Sequence, residues 1–181
     1  MHAAPMPVSE EAAQLVQALV LYAVAEAQAG HVTRIEVQAD ADRFAVADDG
    51  RGHSVDRRVG AVPYLTVVYE QFDFPFGQAD PGPVQLQGIG LSLINRRCSE
   101  LLVEVVRGGQ RVVTTYRAGR QVAQQREPAP AAARSGTRIA GRVAGGAPPR
   151  EDVARALCDW LAAVQAACPG VALVGPGGPG R

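Results

Sequence analysis

The feature that most constrains this chain is a short apolar strand pattern, Phe44-Ala45-Val46, that runs into Asp48-Asp49-Gly50-Arg51-Gly52. Two glycines and two aspartates in five residues impose a sharp turn. Glycine reaches backbone angles closed to other residues, and aspartate can bond the chain just ahead of it. A second alternating segment, Arg34-Ile35-Glu36-Val37, precedes it across Asp40-Ala41-Asp42, which reads as a hairpin turn.

Helical patterns flank these strands. Ser9 is a suitable N-cap, and Glu10 and Glu11 suit the positive end of a helix dipole. Leu15, Val16, Leu19, Val20, Ala23 and Val24 recur at helical spacing, and Gly30 supplies a stop, so a helix is predicted over Ser9–Ala29. A second helix is expected from Pro63 to Tyr69, and a third opens at Gly88-Ile89-Gly90 and runs to about Cys98. Phe72–Val84, rich in proline and glycine, reads as a loop. Residues 101–106, 111–116 and 137–143 read as strands, with a Pro/Ala-rich loop at 128–133. Arg150–Ala167 is amphipathic, and Val171–Val174 suits an edge strand. Hairpin-like strands interrupted by helices point to an α+β fold: one mixed sheet covered on one face by helices. The expected organisation is a loose arm at 1–8, one domain over 9–174 and a flexible tail at 175–181.

Composition narrows the function. A chain of 181 residues, 47% hydrophobic, is enough for one sizeable core. Eighteen basic residues balance eighteen acidic ones, so no net field favours nucleic acid or an anionic membrane. Every basic residue other than histidine is arginine, which excludes Schiff-base chemistry and a P-loop lysine. Cys98, Cys158 and Cys168 are widely spaced and suggest neither a disulfide framework nor a metal site. No long uncharged apolar run and no basic leader appear, so the expectation is a cytoplasmic protein without export signal, metal or cofactor.

Four motifs occur in order: Glu26-Ala27-Gln28-Ala29-Gly30-His31, Asp48-Asp49-Gly50-Arg51-Gly52, Gln87-Gly88-Ile89-Gly90 and Ser135-Gly136-Thr137. Together they resemble the ATP-binding domain of the gyrase B family, part of the GHKL superfamily, from about Val16 to Val174. The resemblance implies the Bergerat-type two-layer sandwich. It also implies an adenine pocket in which Asp48 accepts from the base amino group, Gly52 allows close approach and Thr137 supports the base through water. Gly88–Gly90 would offer backbone N–H groups to phosphates. Arg51 and Arg107 match family arginines beside the pocket, the first pairing with the glutamate that aligns with Glu26. Taken alone, Asp48 reads equally well as a turn cap and Gly52 as a residue needed for positive φ.

The same resemblance exposes what is missing. Alignment through Glu26 puts Ala18 where the family has its water-activating glutamate, and Tyr22 where it has the asparagine that holds Mg²⁺. Alanine cannot act as a base, and a phenol is a poor ligand for Mg²⁺. The family's phosphate-binding lysines, its transducer and toprim domains and its dimerising arm have no counterpart here, so neither ATP hydrolysis nor strand passage is expected. His53 stands where the family usually has an apolar residue, and Ser54 where it has proline.

Three functions compete. One is a binding module that holds or sequesters a small organic molecule, such as a secondary metabolite, through Tyr22, Glu26, Asp48, Arg51, Gly52, His53, Arg107 and Thr137. Another is an isomerase- or cyclase-like acid–base enzyme with Asp48 as base and His53 or Tyr22 as acid, Glu26 nearby. The last is a regulatory protein that contacts gyrase or another partner through Phe72, Phe74 and Phe76. The bland alternatives are an exposed turn histidine at 53 and phenylalanines that merely pin a loop.

Overall fold

The structure is a computed structural model, and it describes residues 5–71 and 90–176. Helix α1 spans Glu10–Gln28. Its start is fixed by Ser9, whose Oγ accepts from the Ala12 N–H at 3.2 Å. Its end is closed by bonds from His31 N–H to Glu26 O (3.0 Å) and from Gly30 N–H to Ala27 O (2.9 Å). The predicted apolar stripe is the buried face, from Leu15 to Val24.

Strands β1 (Arg34–Asp40) and β2 (Arg43–Asp48) form the expected hairpin, with Val37 opposite Val46. A pair of two-residue strands, β3 (Arg58–Val59) and β4 (Val62–Pro63), leads into helix α2 (Tyr64–Glu70). Helix α3 (Leu91–Arg97) follows, then β5 (Cys98–Arg107), β6 (Gln110–Arg117), β7 (Arg120–Pro128) and β8 (Gly136–Val143). Helix α4 (Glu151–Ala167) and the short strand β9 (Ala172–Val174) complete the described chain.

Seven strands form one sheet in the order β7-β6-β5-β8-β2-β1-β9. Its ladders are antiparallel except for β1 and β9, which run parallel, so the sheet is mixed. Because side chains alternate across a strand, Ile35, Val37, Val46, Leu101, Val103 and Ile139 share the face that meets the helices. Leu19 and Val20 of α1, Tyr69 of α2, Ile94 of α3 and Leu157 of α4 complete that core. The observed architecture is the α+β layer expected from the sequence.

What positions the site is the insertion of β8 between β2 and β5. Thr137 lies opposite Asp48 on one side and Val105 on the other. The carboxyl end of β2 and the start of β8, far apart in the chain, are thereby brought side by side. Both sheet edges are blunted. Gln165 accepts from the Leu173 N–H (2.7 Å) on β9, and β7 carries a register shift opposite Thr115 and Tyr116.

The structure corrects several expectations. Residues 7 and 8 are not loose: Val8 is buried and bridges Ala41 and Arg150, while Pro7 O accepts from the Ala41 N–H at 2.8 Å. Helix α2 begins at Tyr64, one residue after Pro63. Strand β7 falls where no strand was expected, because every one of its residues is exposed and no apolar alternation marks it. The β3–β4 pair is too short to leave a pattern. The expected Phe72–Val84 loop, Gly88, Ile89 and the three phenylalanines lie outside the described residues.

Candidate functional site

Asp48 ends β2 with its side chain largely enclosed beneath the turn. Its Oδ1 accepts from the Gly50 N–H at 2.9 Å, so the turn-capping reading of this aspartate is correct for one oxygen. Burial, reinforced by the negative charges of Glu26 and Asp49, pushes its carboxyl above the usual range. Hydrogen bonds from the Gly50 and Thr137 backbones act the other way. Asp49 points elsewhere: its carboxylate accepts from the Thr33 N–H (2.8 Å), the Thr33 hydroxyl (2.6 Å) and the Arg34 N–H (2.8 Å), which pins the turn to β1. The two adjacent aspartates thus divide the labour between structure and site.

Gly52 has φ +72°, and a Cβ there would meet Val106 O at 2.8 Å and Val105 Cγ1 at 3.0 Å. Only glycine lets the turn lie this close to β5. The carbonyl of Gly52 accepts from Arg107 Nη1 at 3.1 Å. Arg51 reaches back to α1 and grips Glu26 with Nε and Nη2, at 2.9–3.1 Å. The Glu26–Arg51 pair expected from the resemblance is present.

His53 follows, its backbone N–H donating to Thr137 Oγ1 at 3.2 Å. Its Nδ1 lies 3.5 Å from the Tyr69 hydroxyl. The Tyr69 ring stacks on Tyr116 with centroids 5.3 Å apart. Although part of the residue remains accessible, the packing around its ring strips water from the imidazole and pushes it down to about 4. The Glu26 charge opposes this shift and Arg107 adds to it. His53 is therefore not the exposed turn histidine of the bland reading.

Tyr22 and Ala18 project from α1 onto the core, with Glu26 one turn further along. Burial raises the Tyr22 phenol, partly offset by the Leu91 backbone at the start of α3. The structure therefore brings Tyr22, Glu26, Asp48, Arg51, Gly52, His53, Arg107 and Thr137 to one end of the sheet. Sequence reasoning missed Tyr69 and Tyr116, which lay in an expected helix and an expected strand with nothing to mark them as neighbours of the site. An open concavity of about 720 Å³ lies elsewhere, on the sheet face turned away from the helices, lined by Gln38, Ala45, Leu102, Ala140 and Arg142 among others. None of the predicted site residues lines it.

This layered α+β architecture, with an aspartate–glycine turn beside a Ser-Gly-Thr strand entry, is the fold of GHKL-type ATP-binding domains. Solved structures agree: the ATP-binding domain of Francisella tularensis topoisomerase IV, in complex with a small-molecule inhibitor, matches with a TM-score of 0.65 at 21% identity, over 88% of this chain and 78% of that one. In sequence, the chain is 37% identical over 111 residues to the novobiocin-resistant gyrase B protein of Streptomyces niveus (58% of this chain, 16% of that protein). It is 34% identical over 109 residues to the chloroplastic/mitochondrial gyrase B protein of Nicotiana benthamiana (55% and 15%). The chain thus shares the fold of a GHKL-type ATP-binding domain and is similar in sequence to gyrase B proteins over a little more than half its length. The matched regions span only about one-sixth of these curated relatives. No protein-family model matches the chain.

Proposed function

We propose that this domain holds a small organic molecule, a phosphate-free compound such as a secondary metabolite, in what corresponds to the adenine half of a nucleotide site. The observation that carries the reading is the contrast between the two halves. On one side, a part-buried carboxylate (Asp48), a turn open to close approach (Gly52) and the Thr137 hydroxyl remain together. On the other, Ala18 supplies no base, and the half-buried Tyr22 ring packs against the core where the family has its metal-holding asparagine. Gyrase B and topoisomerase IV relatives supply the parallel: one is named for novobiocin resistance and another was solved with an inhibitor. The hydrolytic function of such relatives is not proposed for this chain.

The acid–base alternative is less well supported. Glu26 is engaged by Arg51, Tyr22 is held protonated by burial, and His53 is displaced far below neutrality. A titration by calorimetry and thermal shift against ATP, ADP, adenosine and an aminocoumarin, with and without Mg²⁺, tests the reading. The expected result is a response to adenosine or the aminocoumarin that Mg²⁺ does not improve and that Asp48→Asn abolishes. Tight, Mg²⁺-dependent ATP binding would overturn it.

A further inference from the structure

We propose that His53 is a fixed hydrogen-bond donor: the Tyr69 hydroxyl donates to Nδ1 and leaves the imidazole proton on Nε2. The case begins with Tyr69. It is fully buried in α2, and its ring is clamped by stacking on Tyr116, so the hydroxyl cannot swing to another partner. Among the described residues the hydroxyl's hydrogen bond is to His53 Nδ1, at 3.5 Å. A buried phenol needs an acceptor for its proton. Were Nδ1 protonated and donating instead, the Tyr69 proton would be buried without one. Burial also keeps Tyr69 in its protonated, donating form. The imidazole is held from its own side too, because the His53 backbone bonds Thr137 and its ring lies 5.9 Å from that of Tyr69.

The groups that act on His53 come from three elements: Glu26 on α1, Arg107 on β5 and Tyr69 on α2. Glu26 favours a charged imidazole, but its carboxylate is shared with Arg51. Arg107 opposes that charge. The ring therefore stays neutral, with Nδ1 as acceptor and Nε2–H as donor.

This inference rests on the small-molecule reading only for its consequence. A ligand that reaches both Asp48 and His53 meets an acceptor at the first and a donor at the second. The class that fits is a neutral heterocycle with an amino or N–H group for Asp48 and a separate carbonyl or ring nitrogen for His53. An apolar residue at position 53 would not demand that second group.

The test uses the full chain without ligand, so it is independent of whether any compound binds. Two-bond ¹H–¹⁵N correlations on ¹⁵N-labelled protein at pH 7 report the tautomer of His53. A neutral ring protonated at Nε2 is expected; a ring protonated at Nδ1, or a charged one, would overturn the proposal. The direction of the titration midpoint in Tyr69→Phe then discriminates further. Losing a donor to Nδ1 destabilises the neutral ring, so the midpoint should rise above that of the unsubstituted protein. A midpoint that falls or stays put would mean that Tyr69 does not donate. Should Tyr69→Phe fail to fold, the tautomer in the unsubstituted protein still decides.

Discussion

Gly136 gives the sharpest test of how the site is built. It opens β8 with φ +154°, and a Cβ at that position would lie 2.0 Å from the carbonyl oxygen of Asp48 and 3.2 Å from Asp49 Cα. Those atoms are backbone and cannot rotate aside as a flexible side chain would. Gly136→Ala must therefore push β8 from the end of β2, where Thr137 faces Asp48. The backbone strain alone is about 1–3 kcal/mol. Each ladder hydrogen bond lost adds roughly 1 kcal/mol, so a total of about 4 kcal/mol is expected. Gly145 is the internal control. Its φ is +83°, but nothing lies within 4 Å of an added Cβ. Gly145→Ala should cost only about 1 kcal/mol. Urea unfolding of both variants measures the difference, and for a domain of this size each kcal/mol corresponds to roughly 2–4 °C in Tm. If Gly136→Ala comes within about 1 kcal/mol of Gly145→Ala, the close approach of β8 to Asp48 is wrong.

Other substitutions probe the site from different sides. Asp48→Asn should raise Tm at pH 7, because it removes a carboxylate whose ionisation burial opposes while keeping an oxygen for the Gly50 N–H. Tyr22→Asn should lower stability by about 2 kcal/mol in urea unfolding, since it empties part-buried aromatic volume. Leu157→Ala, at a fully buried position on α4, should cost about 2–5 kcal/mol by the same assay. His53 makes stability depend on pH. Its folded value is pushed from 6.5 to about 4, so between these values the unfolded chain binds the proton first and stability falls as pH falls. The loss should reach about 3 kcal/mol at most by pH 4, and His53→Leu should flatten that slope whatever its effect at pH 7.

The sequence made much of the fold legible because its signals are local. The α1 stripe, its Ser9 cap and the β1–β2 hairpin each lie within one stretch of chain, and the aspartate–glycine turn announces its geometry by composition. Strand β7 was invisible for the opposite reason: it is held by its ladder to β6 and by exposed pairs such as Arg126–Asp56 (2.8 Å), and none of these leaves an apolar pattern. Val8 was misplaced because one valine beside proline has no periodicity; what fixes it is backbone pairing with Ala41 and Arg150.

The candidate site divides along the same line. Asp48, Arg51 and Gly52 could be located because they belong to one motif. The state of His53 could not, since it is set by Thr137, 84 positions away, by Tyr69, 16 positions away, and by a ring stacked behind Tyr69 from a different strand. Read alone, a histidine beside an aspartate suggests acid–base chemistry, because free imidazole titrates near neutrality. In the fold, desolvation by the packing around the ring and the charge of Arg107 on β5 push that titration well below neutrality, while Glu26 on α1 opposes the shift. The packing of Tyr69 against Tyr116 behind the imidazole left no mark in the sequence, because the two rings come from separate elements, α2 and β6.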